Sequence, residues 1–288
     1  MNRVQDIVAA VDTLPPLHDT TLRLLTVLRD PHSSIEDIVE VIRYDEALTG
    51  QVLRLCNSVY FGLNRKINSL SEAMVCLGTT KLLHLIMAAH SSALLGKEQR
   101  GYGLPPGHLW QHSVGVALAC DILGEKTRVP NPAPLFTAGL LHDIGKVVLN
   151  EYVAAEYAQI ARLVHQERYA FNEAERMVLG YDHCEVGALL AEKWNLSAGL
   201  IRCIRWHHEP QSATPDTPDD PDRVYVDLVY LADVLCLMLG LGIGADGLNY
   251  RSDEDVLTRY HLTERDLEQI GARVVAELIQ VKQMASQS

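Results

Sequence analysis

The sequence predicts an all-α protein, and three observations support this fold class. Apolar residues recur at three- and four-residue spacing almost throughout the 288 residues, which is the period of an amphipathic helix. Segments that alternate between apolar and polar residues, as β-strands do, are almost absent. Glycine and proline gather in a few short stretches that separate the periodic segments. We therefore expect about a dozen helices.

The periodicity is clear in two segments of the amino-terminal half. Residues 35–42 place four aliphatic side chains on one helical face, and Ser34 with Asp37 resembles a capping box at the start of that helix. Residues 82–87 carry a second apolar face with the same spacing. Both segments predict helices that bury one side.

The stretch KEQRGYGLPPG, residues 97–107, interrupts the helical pattern because its glycines and prolines end helices more readily than they extend them. It divides the chain into a predicted amino-terminal helical subdomain, residues 1–98, and a predicted carboxy-terminal helical subdomain, residues 99–288. The second part contains the clusters of histidine. Residues 99–107 or 209–222 could cover a site built there.

Charge and hydropathy limit the classes of partner. The formal net charge is −12, which argues against a general nucleic-acid binder because the phosphate backbone would be repelled. The most apolar stretch, residues 224–243, is interrupted by Asp227 and Asp233 and therefore predicts a buried helix and no membrane span. The amino terminus has no long apolar signal region. We expect a soluble, cytoplasmic protein with no membrane partner.

The cysteines predict neither a disulfide framework nor a zinc ribbon. None of the six belongs to a CxxC pair, and most lie in apolar helical context. We interpret them as small buried hydrophobic residues in a reducing cytosol. They are Cys56, Cys76, Cys120, Cys184, Cys203 and Cys236.

The segment LLHDIGK contains the pair that first suggests chemistry. His142 and Asp143 are adjacent in an apolar stretch that we predict to be helical. Neighbours on a helix diverge by about 100°, so both side chains could face one groove between helices. Imidazole and carboxylate together are a ligand set for Fe, Mn, Co, Ni or Zn. Lys146, on the same helical face as His142, could hold an anionic group such as a phosphate.

Six further side chains of suitable chemistry occur in helical context. They are His108, His112, His183, His207, His208 and Asp233. All but His108 also have a simpler interpretation. His112 could be a core histidine with satisfied hydrogen bonds, and His183 could be a helix cap. His207 or His208 could interact with the helix dipole at the carboxy-terminal end of its helix. Asp233 could leave the core toward solvent, but a charge inside its apolar segment is costly unless it is paired or bound to a metal.

The order of these residues resembles a known superfamily. His112, then His142 with Asp143, then Asp233 resembles the HD superfamily of metal-dependent phosphohydrolases. The amino-terminal half is similar to the narrower group of HDOD (HD-related output) domains of bacterial signalling proteins. The similar stretches are LPPLHDTTLRLLTVLRDPHSSIEDIVEVIRYDEALTGQVLRLCNSVYFG, INSLSEAMVCLGTTKL, LWQHS, AGLLHDIGKVVL, DHCEVGALLAEKWNL and IRWHHEP, which cover about residues 14–210. The resemblance implies a multi-helix HD-type bundle packed against the amino-terminal subdomain.

The resemblance also implies a ligand set. HDOD domains are viewed as degenerate relatives of the HD-GYP cyclic-di-GMP phosphodiesterases, and many have lost metal ligands that this chain retains. By this resemblance two divalent transition-metal ions are expected, Fe or Mn ahead of Zn, Ni or Co. Metal one would take His112, His142, Asp143 and Asp233, and metal two would take Asp143 as a bridge with His183, His207 and His208. His108 stands where some relatives use a glutamate for a third metal, so its role stays open.

Three functions remain open at this point. After His208 the chain reads EPQSATPDTPDD with no GYP tripeptide, so cyclic-di-GMP is not carried over as a substrate. The first function is an HDOD signalling or regulatory protein with a two-metal site and a signalling-protein partner. The second is a metal-dependent phosphohydrolase acting on a phosphorylated small molecule of nucleotide type, with Asp143 and Lys146 in catalytic roles. The third, with least in its favour, is a di-iron oxygenase.

Overall fold

The computed structural model describes residues 78–213, 223–242 and 254–285, with seven isolated positions nearer the amino terminus. Over these ranges the chain forms α-helices and two short 3-10 helices, Arg100–Tyr102 and Pro210–Ser212, and no described residue belongs to a β-strand. The all-α prediction is therefore confirmed. The helices are α1 (Thr79–Leu95), α2 (His108–Thr127), α3 (Ala133–Leu141), α4 (Gly145–Ala155), α5 (Tyr157–His165), α6 (Phe171–Leu179), α7 (His183–Lys193), α8 (Ala198–Trp206), α9 (Arg223–Met238), α10 (Glu254–Arg259) and α11 (Glu264–Ala285).

The predicted break near residues 97–107 is present. Helix α1 ends at Leu95 and α2 begins at His108, with the 3-10 helix Arg100–Tyr102 between them. Gly103 and Gly107 have φ values of 64° and 81°, a left-handed conformation that glycine adopts without steric cost. The predicted capping box at Ser34 and most of the amino-terminal subdomain lie outside the described residues, although α1 falls within the predicted bounds of that subdomain, so the domain boundary stays a prediction.

Helix α2 occupies the centre of the described bundle. It packs against α3, α9 and α11, and its buried side chains include Leu109, Val114, Ala117 and Leu123. Helix α7 packs against α4 and α8. The candidate site draws its side chains from both of these groups of helices.

The junction between α3 and α4 differs from the prediction of one helix through LLHDIGK. Residues 142–144 form a turn, in which Ile144 N–H donates to Leu141 O at 3.0 Å. The cause is a close approach to α7, since a Cβ at Gly145 would lie only 1.9 Å from His183 O. Because Gly145 has no side chain, the junction can press against α7. The turn therefore places its polar residues beside the start of α7.

Helix α9 contains the most apolar stretch of the chain, and Asp227 within it has a structural role. Asp227 is fully buried and accepts hydrogen bonds from Arg223 Nε at 3.0 Å, from Tyr260 Oη at 2.9 Å and from Arg259. These bonds tie α9 to α10. None of the helices described above is both long enough and apolar enough to cross a bilayer.

Candidate metal centre

Seven of the side chains singled out in the sequence converge at one point in the described bundle. They come from the middle of α2, the α3–α4 turn, the first residue of α7, the end of α8 and the interior of α9. Lys146, on the first turn of α4, reaches the same point. The seven are His112, His142, Asp143, His183, His207, His208 and Asp233.

One group of four donor atoms, here called the first position, has spacing that suits a single ion. His112 Nε2 lies 3.0 Å from Asp233 Oδ1, 3.3 Å from His142 Nε2 and 3.6 Å from Asp143 Oδ2. His142 Nε2 lies 3.4 Å from Asp143 Oδ2. An ion about 2.1 Å from each of four tetrahedral ligands would hold those ligands about 3.4 Å apart. These residues could therefore hold a metal ion.

A second group, here called the second position, lies on the other side of Asp143. His183 Nε2 lies 3.0 Å from His208 Nε2 and 3.5 Å from Asp143 Oδ1. His207 Nε2 lies 3.7 Å from the same oxygen. The two oxygens of one carboxylate thus face two different sets of imidazole nitrogens. Such an arrangement is able to bridge two ions.

Asp143 is fully buried at the centre of the cluster. Burial alone would raise its pKa, but Lys146 and His142 hold the pKa of this carboxyl well below its ordinary range. Lys146 Nζ lies 2.8 Å from Asp143 Oδ2, yet neither oxygen of this carboxylate has a hydrogen bond among the described residues. An ionised oxygen that is buried without a hydrogen bond is costly, and a cation at the second position would remove that cost.

Three imidazoles are oriented by backbone carbonyl groups. A carbonyl oxygen can only accept, so each of these rings donates from Nδ1, and its Nε2 faces the centre. Metal-binding histidines are generally held in this way. The pairs are His142 with Gly139 O at 2.7 Å, His207 with Ile204 O at 2.8 Å and His112 with Leu241 O at 3.0 Å.

His183 is oriented by a carboxylate. Its Nδ1 lies 2.6 Å from Glu175 Oε2, and its backbone N–H donates to the same oxygen at 3.1 Å. Tyr102 Oη donates to the other oxygen, Oε1. Glu175 is not among the residues that the sequence pattern singles out. The available signal was its position on the apolar face of α6, beside Phe171 and Ala174.

Burial and crowding favour the neutral form of two of the three imidazoles at the second position, those of His207 and His208. Burial and then the neighbouring imidazole of His207 lower the pKa of His208 well below its ordinary value, and burial also lowers the pKa of His207. His183 differs, because Glu175 raises its pKa despite burial. Neutral imidazoles are the form that binds metals.

The structure contradicts two of the simpler interpretations of these residues and agrees with one. Asp182, which accepts from Glu185 N–H at 2.8 Å, caps α7, so the idea that His183 is the cap is wrong. Asp233 is almost fully buried and does not leave the core. His207 does satisfy a carbonyl at its helix end while it faces the centre. His108 is exposed at the start of α2, and none of the described groups that could hold a metal includes it.

Cys184 lies closer to the cluster than the sequence suggested. It is buried, as predicted, but its Sγ lies 3.8 Å from His207 Nε2. It belongs to a group of possible metal ligands with His183, His207 and His208. Burial raises the pKa of the thiol well above its ordinary value. The second position therefore has a neutral sulfur at its edge.

Known proteins resemble this chain over most of its length. The model of the HDOD domain family matches residues 14–210. The crystal structure of an HDOD domain protein with unknown function from Geobacter sulfurreducens superposes with a TM-score of 0.70 at 26% identity and covers 98% of each chain. An uncharacterized protein of Treponema pallidum (strain Nichols) is 26% identical over 213 residues, which are 73% of this chain and 40% of that protein.

An enzyme also appears among the relatives. Ribonuclease Y of Syntrophotalea carbinolica is 28% identical over 161 residues, which are 56% of this chain and 22% of the enzyme. The chain thus spans less than half the length of both of these curated relatives. The similarity to ribonuclease Y is confined to a part of each protein.

Proposed function

Because the chain belongs to the HDOD domain family, we propose that it is a bacterial regulatory protein whose carboxy-terminal part binds two divalent transition-metal ions. The observation that carries this proposal is the position of Asp143, with Oδ2 facing His112 and His142 and Oδ1 facing His183 and His207. A buried carboxylate between two sets of inward-facing lone pairs is hard to explain without cations. A signalling protein that responds to the metal-bound form is part of the proposal.

The burial of the site supports a regulatory role over turnover. The most exposed of the seven ligand side chains, His208, retains 4% of its accessible surface, and Lys146 retains 5%. A substrate of nucleotide size would need these helices to separate before it reached the ions. Metal bound in so closed a site stabilises the bundle, because an ion that binds only the folded state adds its binding free energy to folding.

The donor set guides the expected metal. Imidazole nitrogen suits Zn, Cu, Fe and Ni, while carboxylate oxygen suits Mn and other hard ions. A site that mixes the two fits Fe or Mn, with Zn, Ni and Co as further candidates. We expect the as-purified protein to contain about two equivalents of such ions per chain.

Elemental analysis of freshly purified protein, prepared both in air and anaerobically, tests the proposal. The anaerobic arm is needed because ferrous iron is lost on oxidation. Less than about 0.2 equivalents of transition metal in both preparations, with no uptake when Mn²⁺, Fe²⁺ or Co²⁺ is added, would overturn it. Uptake of one ion only would remove the dinuclear part and leave a mononuclear site.

A second function, phosphohydrolysis, is favoured by one specific observation. Lys146 places its ammonium group 2.8 Å from the carboxylate that lies between the two positions, where it would hold an anionic oxygen of a phosphorylated small molecule. Bound divalent ions supply Lewis acidity for such a reaction. The partial similarity to ribonuclease Y is consistent with phosphodiester chemistry, although a net charge of −12 disfavours a long nucleic acid.

A generic phosphodiester, bis(p-nitrophenyl) phosphate, separates the two functions when it is assayed with Mn²⁺ or Fe²⁺. An enzyme would release p-nitrophenol in proportion to the metal bound, and both Asp143→Ala and Lys146→Ala would abolish the release. Activity that survives Asp143→Ala would come from a contaminant. Metal-loaded protein that turns over neither this substrate nor a panel of nucleotides would leave the regulatory function alone.

A further inference from the structure

Glu175 is a buried carboxylate that lies just outside the seven ligands. Its side chain is fully buried on α6 and accepts from His183 Nδ1 at 2.6 Å, from His183 N–H at 3.1 Å and from Tyr102 Oη. Three donors on two oxygens offset the cost of burying this charge. All three donors lie at or beside the second position, so the carboxylate helps to organise that position.

The contact with His183 fixes the ring more tightly than a carbonyl would. The backbone N–H and the ring Nδ1 of one residue both bind Oε2, so Glu175 holds the start of α7 and orients the imidazole through the same oxygen. A carboxylate partner also makes the opposite nitrogen a better electron donor, since it stabilises the positive charge that the ring gains on binding a cation. The rings of His142, His112 and His207 have only neutral carbonyl partners at the same atom.

Tyr102 links this carboxylate to the segment between α1 and α2. It lies on the 3-10 helix Arg100–Tyr102 and is fully buried. The segment is pinned to α4, because Gly101 N–H donates to Asn150 Oδ1 at 3.0 Å and a Cβ at Gly101 would lie 2.4 Å from Asn150 O. Lys146 Nζ lies 5.5 Å from the centre of the Tyr102 ring. The predicted cover of the site thus contributes one phenol that reaches its edge.

We propose that Glu175 is the positioning residue of the second metal position and that Tyr102 fastens it, so that metal bound there strengthens the docking of residues 99–104 on α4. The inference rests on the proposed two-metal function. It also identifies the part of the chain through which the metal state would be passed on. Residues 99–104 connect the site to α1, which lies within the predicted amino-terminal subdomain.

Titration of the metal-free protein with Co²⁺ alone, followed by calorimetry and visible absorption, tests the positioning role. Glu175→Gln keeps the shape of the side chain and removes its charge. We expect it to weaken the second binding event by roughly 10- to 100-fold, the usual cost of losing an outer partner of a ligand, while the first event is unchanged. Glu175→Asp, which restores the charge, should recover part of the loss.

Two variants complete the design. Glu173→Gln is the matched control on the same helix, since Glu173 accepts from Ala170 N–H at 2.9 Å and touches none of the ligands. Tyr102→Phe removes the phenol oxygen alone and should weaken the second event less than Glu175→Gln does. Hydrogen exchange of residues 99–104 should slow on addition of Co²⁺ in the wild-type chain and in Glu173→Gln, and should slow less in Tyr102→Phe.

The outcomes are separable. Wild-type protein that binds two ions, with a Glu175→Gln variant whose second binding event is unchanged, would overturn this inference and leave the two-metal function standing. Wild-type protein that binds no second ion would overturn both. If Glu175→Gln does not fold, as judged by circular dichroism, Tyr102→Phe decides instead, and unchanged second binding with unchanged exchange in that variant would count against the inference.

Discussion

The two proposed metal positions share Asp143 and differ in the other groups around it. The first position combines two carboxylates with two imidazoles, and its rings are oriented by the backbone carbonyls of Gly139 and Leu241. The second position has three imidazoles and the shared carboxylate, and Asp233 Oδ2 lies 3.4 Å from Nδ1 of its His208 ring. One of its rings depends on the side chain of Glu175.

This difference in charge and support suggests different tasks. Two carboxylates give the first position more negative charge, so we expect it to bind a divalent ion more tightly and to fill first. Its orienting groups are backbone atoms next to α3 and α9, which move only if the bundle moves. The second position depends on a chain of side chains that ends at Tyr102, so it can respond to changes outside the bundle. We interpret the first as the structural position and the second as the adjustable one.

The largest expected effect comes from Asp143→Asn, which replaces the carboxylate that both positions share. An amide has one oxygen, carries no charge and cannot bridge two cations as a carboxylate does. We expect the affinity of both positions to fall by more than about 100-fold, beyond the loss typical of an outer partner. Elemental analysis and Co²⁺ titration measure this effect. Asp121→Asn, at an aspartate of α2 that lies 3.5 Å from His84 and away from the centre, is the control.

A variant Asp143→Asn that kept one tightly bound ion would show that the carboxylate serves one position only. The two positions would then have no ligand in common. A second substitution, at Asp233 for the first position or at His208 for the second, would then show which position had kept its ion.

The next effect is selective and uses one substitution for each position. Asp233→Asn removes the second carboxylate of the first position, and His208→Ala removes an imidazole of the second. Each variant should retain about one equivalent of metal, and the ion retained by His208→Ala should be the tighter of the two. Two-step Co²⁺ titrations of both variants measure this. Loss of both ions from either variant would mean that the positions fill only as a pair.

Sequence predicted which polar side chains would gather in the interior because their chemistry conflicts with their surroundings. His142, Asp143 and Asp233 stand in apolar segments where a polar side chain needs a partner, and the order of the remaining histidines completes the set. The bundle was predictable for a similar reason, since helical periodicity is a local property. Residues in the amino-terminal part that carry the family resemblance lie outside the described residues and add nothing to this comparison.

The supporting groups were not predictable because they depend on packing between distant helices. The position of Glu175 on the apolar face of α6 indicates burial, but nothing local shows that its carboxylate meets His183. The turn at residues 142–144 follows from contact between Gly145 and α7, which a sequence pattern does not contain. Leu241 contributes only a backbone carbonyl, which has no side-chain signal at all.

A moderate effect on the first position alone is expected from Gly242→Ala. Gly242 has a φ of 73°, and a Cβ there would lie 2.6 Å from both Cβ and Cγ of His112, so the ring must move. We expect the first binding event to weaken by about tenfold, as for a displaced ligand, and the second to be unaffected. Gly240→Ala is the matched control, because Gly240 has a φ of 80° but open space around it. Equal effects of the two variants would mean that backbone strain, and not the contact with His112, is responsible.

The smallest effect concerns the sulfur beside the second position. Cys184 Sγ lies 3.8 Å from His207 Nε2, and burial keeps its thiol protonated by raising the pKa well above the ordinary value. If the thiol only packs, Cys184→Ala should change the second binding event by less than about threefold for Mn²⁺ and Co²⁺ alike, since no ligand is lost. A loss confined to Co²⁺ and Zn²⁺, with a sulfur-to-cobalt absorption band in the wild-type protein that the variant lacks, would show that a thiolate joins the ion. The second position would then be the softer of the two as well as the adjustable one, and its preferred metal would shift from Mn toward Zn or Fe.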